Sequence, residues 1–210
     1  MPSRPPADAL VILLHGFGTG GQDMMPLAEA WEAALPNVLF TAPDAPFAGD
    51  YGSGRQWFSI AGVTEQSRPQ RIAAARAEFD RVIAAQIERH GFEGRLDRVV
   101  LAGFSQGSMM LLDAVVSGRW PVAAGVAFSG RLASPPPFAP AGDTRLLLLH
   151  GTADGVVPPT GTTEALVALR AHGLAAEGHL FRGLGHTISS EGAVMAQAFI
   201  AASLGRQFAR

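Results

Sequence analysis

Short apolar runs alternating with longer amphipathic stretches constrain this chain more than any other feature of its sequence. Ala9–Leu14, Asn37–Thr41, Arg98–Ala102, Val122–Phe128 and Arg145–Leu149 read as strands buried on both faces, and Ala176–Phe181 is a weaker sixth. The stretches between them carry helical spacing. Met24, Leu27, Trp31 and Leu35 recur along one face of a first helix. In the next, Ser67-Arg68-Pro69-Gln70 offers a capping box with Ser67 as N-cap. Ile72, Phe79, Ile83 and Ile87 mark its apolar face, and Gly91 supplies a stop that accepts positive φ. Further helices are expected at Gln106–Val116, Thr162–His172 and Ser189 to about Leu204. Strand–helix alternation of this kind builds a mostly parallel central sheet with helices on both faces. Ligands of such sheets sit outside the carboxyl ends of the strands, so chemistry is sought just after each apolar run.

The 210 residues suit one domain, 1–210, with a substantial core. Apolar residues at 48% and charged residues at 16% argue against disorder. A formal net charge of −2, with the basic residues dispersed, gives no reason to expect nucleic acid or an anionic membrane as partner. Arg68, Arg71 and Arg76 alternate with Glu78 and Asp80 and read as a solvated helix face. With no cysteine, disulfides, thiolate metal sites and a cysteine nucleophile are excluded. The run Ala9–Leu14 behind Met1-Pro2-Ser3-Arg4-Pro5-Pro6 is short for a signal-peptide core, and no run has the length of a membrane span. A soluble cytoplasmic protein, monomer or homodimer, without stable membrane insertion, is the expectation.

Gly103-Phe104-Ser105-Gln106-Gly107 has the form G-x-S-x-G. In a chain this rich in glycine, chance supplies on the order of 0.2 such matches, so the flanks must carry the assignment. A strand leads directly into Gly103 and a helix starts at Gln106, the setting of a sharp turn that exposes a nucleophilic Ser105. A serine hydroxyl needs a base to take its proton, and the base needs a carboxylate to orient it. Among the downstream histidines His150, His172, His179 and His186, the last occupies a glycine-flanked loop between the final strand and the final helix. That placement suits a base reaching back across the strand ends. Asp154, in the loop after Arg145–Leu149 and between Ser105 and His186, is the expected acid. Leu13-Leu14-His15-Gly16-Phe17-Gly18 follows the first strand and can turn its amides towards the site. The expected oxyanion donors are the N–H groups of Phe17 and Gln106. His15 is expected to fix this loop by hydrogen bonding.

Taken together, Leu14-His15-Gly16-Phe17-Gly18, Ala42-Pro43-Asp44-Ala45-Pro46, Arg55-Gln56-Trp57-Phe58, the Ser105 turn, His150-Gly151-Thr152-Ala153-Asp154 and Gly185-His186 resemble the phospholipase/carboxylesterase family, which includes acyl-protein thioesterases and small bacterial carboxylesterases. The resemblance implies an α/β-hydrolase fold without a large lid domain, a triad of Ser105, Asp154 and His186, and no metal or cofactor. The implied activity is hydrolysis of a small-molecule carboxylic ester with a short to medium acyl chain, with acyl-thioesters or lysophospholipids as the alternative substrates. Two positions depart from the family's habit: Ser108 stands where glycine is common, and Ser59 where an acid often follows Trp-Phe. Trp57 is expected to line the acyl site, with packing onto the core as its alternative, and Val157 is a second pocket candidate. Arg55 either meets a polar substrate end or holds its loop.

Overall fold

In the computed structural model, which describes residues 7–205, the strand-forming runs assemble into one six-stranded parallel sheet in the order β2-β1-β5-β6-β7-β8. The strands are β1 (Ala9–Leu14), β2 (Val38–Thr41), β5 (Val99–Phe104), β6 (Ala124–Phe128), β7 (Arg145–Gly151) and β8 (Ala176–Phe181). A short antiparallel hairpin, β3 (Phe47–Ala48) with β4 (Arg55–Gln56), lies outside the sheet. The helices are α1 (Met25–Glu32), α2 (Arg68–Arg89), α3 (Gln106–Val116), α4 (Thr160–Ala171) and α5 (Ser190–Ser203). The segment Met1–Pro6 and residues 206–210 lie outside the described residues.

Period-two alternation along the strands divides the core into two apolar layers. On one side Leu10, Ile12, Leu14, Val99, Leu101, Leu146 and Leu148 pack with α2, α3 and α4. On the other, Val11, Leu13, Val100, Val126, Leu147 and Leu149 pack with α1 and α5 through Trp31, Phe199 and Ile200. Each fully buried aliphatic or aromatic side chain contributes about 1.5–3 kcal/mol relative to exposure. Central β1, β5 and β6 are therefore apolar on both faces. The edge strands are not. In β2 only Val38 is buried, and β8 buries only its ends, Ala176 and Phe181. The expectation of burial on both faces fails for β2, because an edge strand has a neighbour on one side only. Asn37 stands outside the strand with φ 62°. Arg98 also precedes its strand and donates to the carbonyls of Asp8 and Leu204.

The start of α2 departs from its expected cap. Ser67 already has helical φ and ψ, and its side chain does not cap the helix. Its Oγ instead accepts the Thr64 amide while Thr64 Oγ1 accepts the Ser67 amide, a reciprocal pair set three residues upstream. The other end is as expected. Gly91 has φ 72°, the Phe92 amide donates to Ile87 and the Gly91 amide to Glu88, closing the helix in a left-handed turn. At α5, Ser189 Oγ accepts the Gly192 amide as N-cap. The chain passes from β1 to β2 on one side of the sheet and then to β5 on the other. The carboxyl ends of β1 and β5 thus flank the point where winding reverses, where such sheets open a crevice.

Candidate active site

Ser105 sits between β5 and α3 with φ 52° and ψ −112°, a conformation that non-glycine residues rarely adopt. The neighbours show how the strain is held. A Cβ on Gly103 would lie 2.6 Å from the Gly107 carbonyl carbon, and one on Gly107 would lie 2.3 Å from the Leu14 oxygen. The strand-to-helix turn closes only because both positions lack side chains. The Ser105 amide donates to the Phe128 carbonyl at 2.9 Å, tying the turn to β6.

From the other strand ends two side chains converge on Ser105. His186, in the loop between β8 and α5, brings Nε2 to 3.0 Å from Ser105 Oγ, and its Nδ1 lies 2.7 Å from Asp154 Oδ2. An acid against Nδ1 sets the proton there and leaves Nε2 as the acceptor facing the serine. Asp154 follows β7, with its side chain wholly buried and that of His186 18% exposed. Burial opposes ionisation of Asp154. Hydrogen bonds from His186 and from the Val157 and Val156 amides outweigh it, and the carboxyl titrates below its usual range. Both amides donate to Oδ1, at 2.8 Å from Val156 and 2.9 Å from Val157.

The loop after β1 is held by His15. His15 Nε2 accepts the Ala45 amide at 2.9 Å, so Nδ1 carries the proton and donates to the Gly16 carbonyl at 2.7 Å. Burial lowers the pKa of this imidazole, which favours the neutral form that the two bonds require. Among the described residues, neither the Phe17 amide nor the Gln106 amide donates to a protein acceptor. No group of three or more His, Asp or Glu suited to hold a metal ion occurs among them.

Trp57 and Arg55 take the second of the two roles expected for each, and Val157 is buried. Trp57 has no exposed surface, so it does not line an open acyl site. Its indole N–H donates to the His15 carbonyl at 2.9 Å and its ring packs edge-on against Phe79. It is a prop beneath the loop after β1. Val157 is likewise buried, and its contribution is its amide on Asp154. Arg55 holds its loop, donating to the carbonyls of Ala45 and Pro46. Beside this loop lies a cavity of about 280 Å³ walled by Phe58, Phe47, Ala74, Ala75 and Arg71.

Sequence reasoning assigned Gln106 only an amide. Its side chain also clamps the neighbouring loop, with Oε1 accepting the Trp57 amide and Nε2 donating to the Phe58 carbonyl, each at 2.7 Å. Both departures from the family's habit are compensated locally. A Cβ on Gly130 would lie 2.4 Å from the Ser108 Cβ, so Ser108 fills space that Gly130 leaves, its Oγ within 2.6 Å of the Gly103 carbonyl. Ser59 donates to Asp50, whose Oδ2 also accepts the Ile60 and Ala61 amides. Asp50 thus ties Ser59, Ile60 and Ala61 into one loop contact.

A parallel sheet with a strained serine after a central strand, a histidine at its hydroxyl and a buried aspartate behind the histidine defines an α/β-hydrolase. Comparison with known proteins narrows the class: residues 1–204 match the phospholipase/carboxylesterase family model, and the chain belongs to that family. It is 29% identical to the esterase YpfH of Escherichia coli strain K12 over 88% of this chain and 78% of the relative. With the acyl-protein thioesterase 1 of Neurospora crassa it shares 27% identity, over 87% and 82% of the two chains. The crystal structure of esterase PE8 superposes with a TM-score of 0.87 at 32% identity, covering 96% of each chain.

Proposed function

We propose that the protein is a serine carboxylesterase acting through an acyl-enzyme on Ser105, with His186 as base, Asp154 as its orienting acid, and the Phe17 and Gln106 amides as oxyanion donors. The observation that carries this reading is the continuous relay from Ser105 Oγ through His186 to Asp154, at 3.0 and 2.7 Å. In the first step His186 Nε2 takes the Ser105 proton as Oγ attacks the ester carbonyl, and Asp154 stabilises the imidazolium that forms. The oxyanion develops beside the two amides and the positive end of α3. Collapse of the intermediate expels the alcohol, which takes its proton from His186. Water, deprotonated by the same nitrogen, then releases the acid and regenerates Ser105.

The substrate is a small-molecule ester. The esterase among the relatives and the family model support that reading. A cytoplasmic, cofactor-free, single-domain enzyme, monomeric or dimeric, completes the proposal, and both apolar layers drawing on the same strands support the single domain. Thioester hydrolysis is the second reading, favoured by the acyl-protein thioesterase relative. The test is a kcat/KM series on p-nitrophenyl esters of rising chain length with an acyl-thioester alongside. The proposal expects a maximum at short to medium acyl esters; higher kcat/KM on the thioester of the same acyl group favours the second reading.

A further inference from the structure

A buried imidazole that the mechanism above does not use lies directly behind its acid. His150 belongs to β7, and its side chain, like that of Asp154, is wholly buried. Its Nε2 is 2.9 Å from the Val157 carbonyl oxygen and 3.0 Å from Asp154 Oδ2. A bare lone pair facing a carbonyl and a carboxylate would be repelled by both, so the proton resides on Nε2. On the far side Nδ1 is 2.7 Å from the Thr162 hydroxyl, which lies 3.4 Å from its other acceptor, the Gly130 carbonyl. His150 thus spans from Thr162 at the start of α4 to the turn that carries the acid.

This geometry gives the Asp154 carboxylate a complete set of neighbours. The Val156 and Val157 amides hold Oδ1, while Oδ2 has His186 Nδ1 at 2.7 Å and His150 Nε2 at 3.0 Å. The His150 N–H is directed at the Val157 carbonyl, with Oδ2 at its flank, so it grips the turn and the charge together. Resting on the proposed esterase reading, we propose that His150 is a positioning residue: it fixes the carboxylate rotamer so that Oδ2 stays in line with His186. Misplacement of a catalytic group by an ångström is enough to cost about 100-fold in rate.

The test compares three variants of the full chain. In His150→Gln the side-chain amide nitrogen stands the same number of bonds from Cβ as Nε2 and keeps the donor. His150→Asn places its nitrogen at the Nδ1 position and loses it, and His150→Leu loses both contacts. The expected result on a p-nitrophenyl ester is a kcat reduced about 100-fold in the Asn and Leu variants with KM within about twofold, and recovery to within about fivefold in the Gln variant. The second readout is the low-field proton resonance of His186 Nδ1–H in the resting protein. It is expected to be retained in wild type and the Gln variant and to be shifted upfield or lost in the other two. Wild-type kcat in folded Asn or Leu protein overturns the proposal, as do equal losses in all three variants that follow the folded fraction. If the Leu variant fails to fold, equal kcat in the Gln and Asn variants overturns it. If wild type itself turns over no ester, the esterase reading has failed, and the resonance still decides the role of His150.

Discussion

At the scale of single residues, the proposed relay depends on the environment of each group. Asp154 is kept ionised by donors that outweigh its burial, and its negative charge keeps the His186 proton on Nδ1. Replacing it by Asn lets the neutral amide offer an N–H to Nδ1, which moves the histidine proton to Nε2 and removes the base. Asp154→Asn is therefore expected to lower kcat on the order of 10⁴-fold with the fold intact, measured by steady-state ester hydrolysis. Asp50 carries a second prediction. Its hydrogen bonds, the strongest from Gln56, followed by Ser59 and the Ala61 and Ile60 amides, lower its pKa to about 2. A group depressed in the folded state stabilises it above the unfolded carboxylate pKa, and that stability is lost as pH falls through the folded value. Thermal melting of wild type is thus expected to show an acid-side decline between about pH 4 and pH 2 that Asp50→Asn lacks in part. The convergence of Ser105, Asp154 and His186 was legible because each follows a strand. The role of Trp57 was not. An aromatic beside a glycine-rich loop reads alike whether it faces a ligand or packs under the loop, and only the His15 carbonyl above its indole N–H decides the matter.

Among elements, the central strands and α3 were read nearly to their ends because double-sided burial leaves unbroken apolar runs. The edges were harder. β8 looked weak because four of its six residues are exposed, a consequence of its place in the sheet. The cap of α2 was displaced because Thr64 and Ser67 satisfy each other, a pairing as compatible with the sequence as the one expected. The basic face of α2 was read as solvated, yet Arg71 binds the Ser59 and Ala61 carbonyls and Arg76 reaches Asp113 on α3. Asp113 is wholly buried and bonded to both Arg76 and Arg119. Although its burial opposes ionisation, these bonds hold its pKa below the usual value. Asp113→Leu leaves Arg76 without its carboxylate and Arg119 with Asp80 alone, and removes the ion pair that ties α2 to α3. A loss of about 3 kcal/mol is expected, seen as a lower urea midpoint at unchanged slope.

For the molecule as a whole, sheet order explains why residues so distant in sequence form one site. Winding reverses between β1 and β5, bringing the loop after β1 and the serine turn side by side, and the loops after β7 and β8 bring Asp154 and His186 to them. That arrangement followed from the alternation of elements. The supports around it did not, since the Gln106 clamp, the Asp50 carboxylate and the Gly130–Ser108 fit depend on which side chains the loops bring together. The proposed activity rests on Ser105 as the nucleophile. Treating wild type and Ser105→Ala with a fluorophosphonate and mapping the adduct by peptide mass spectrometry is the decisive measurement. One equivalent is expected on the peptide containing Ser105 in wild type and none in the variant; equal labelling of the two proteins rules Ser105 out as the nucleophile.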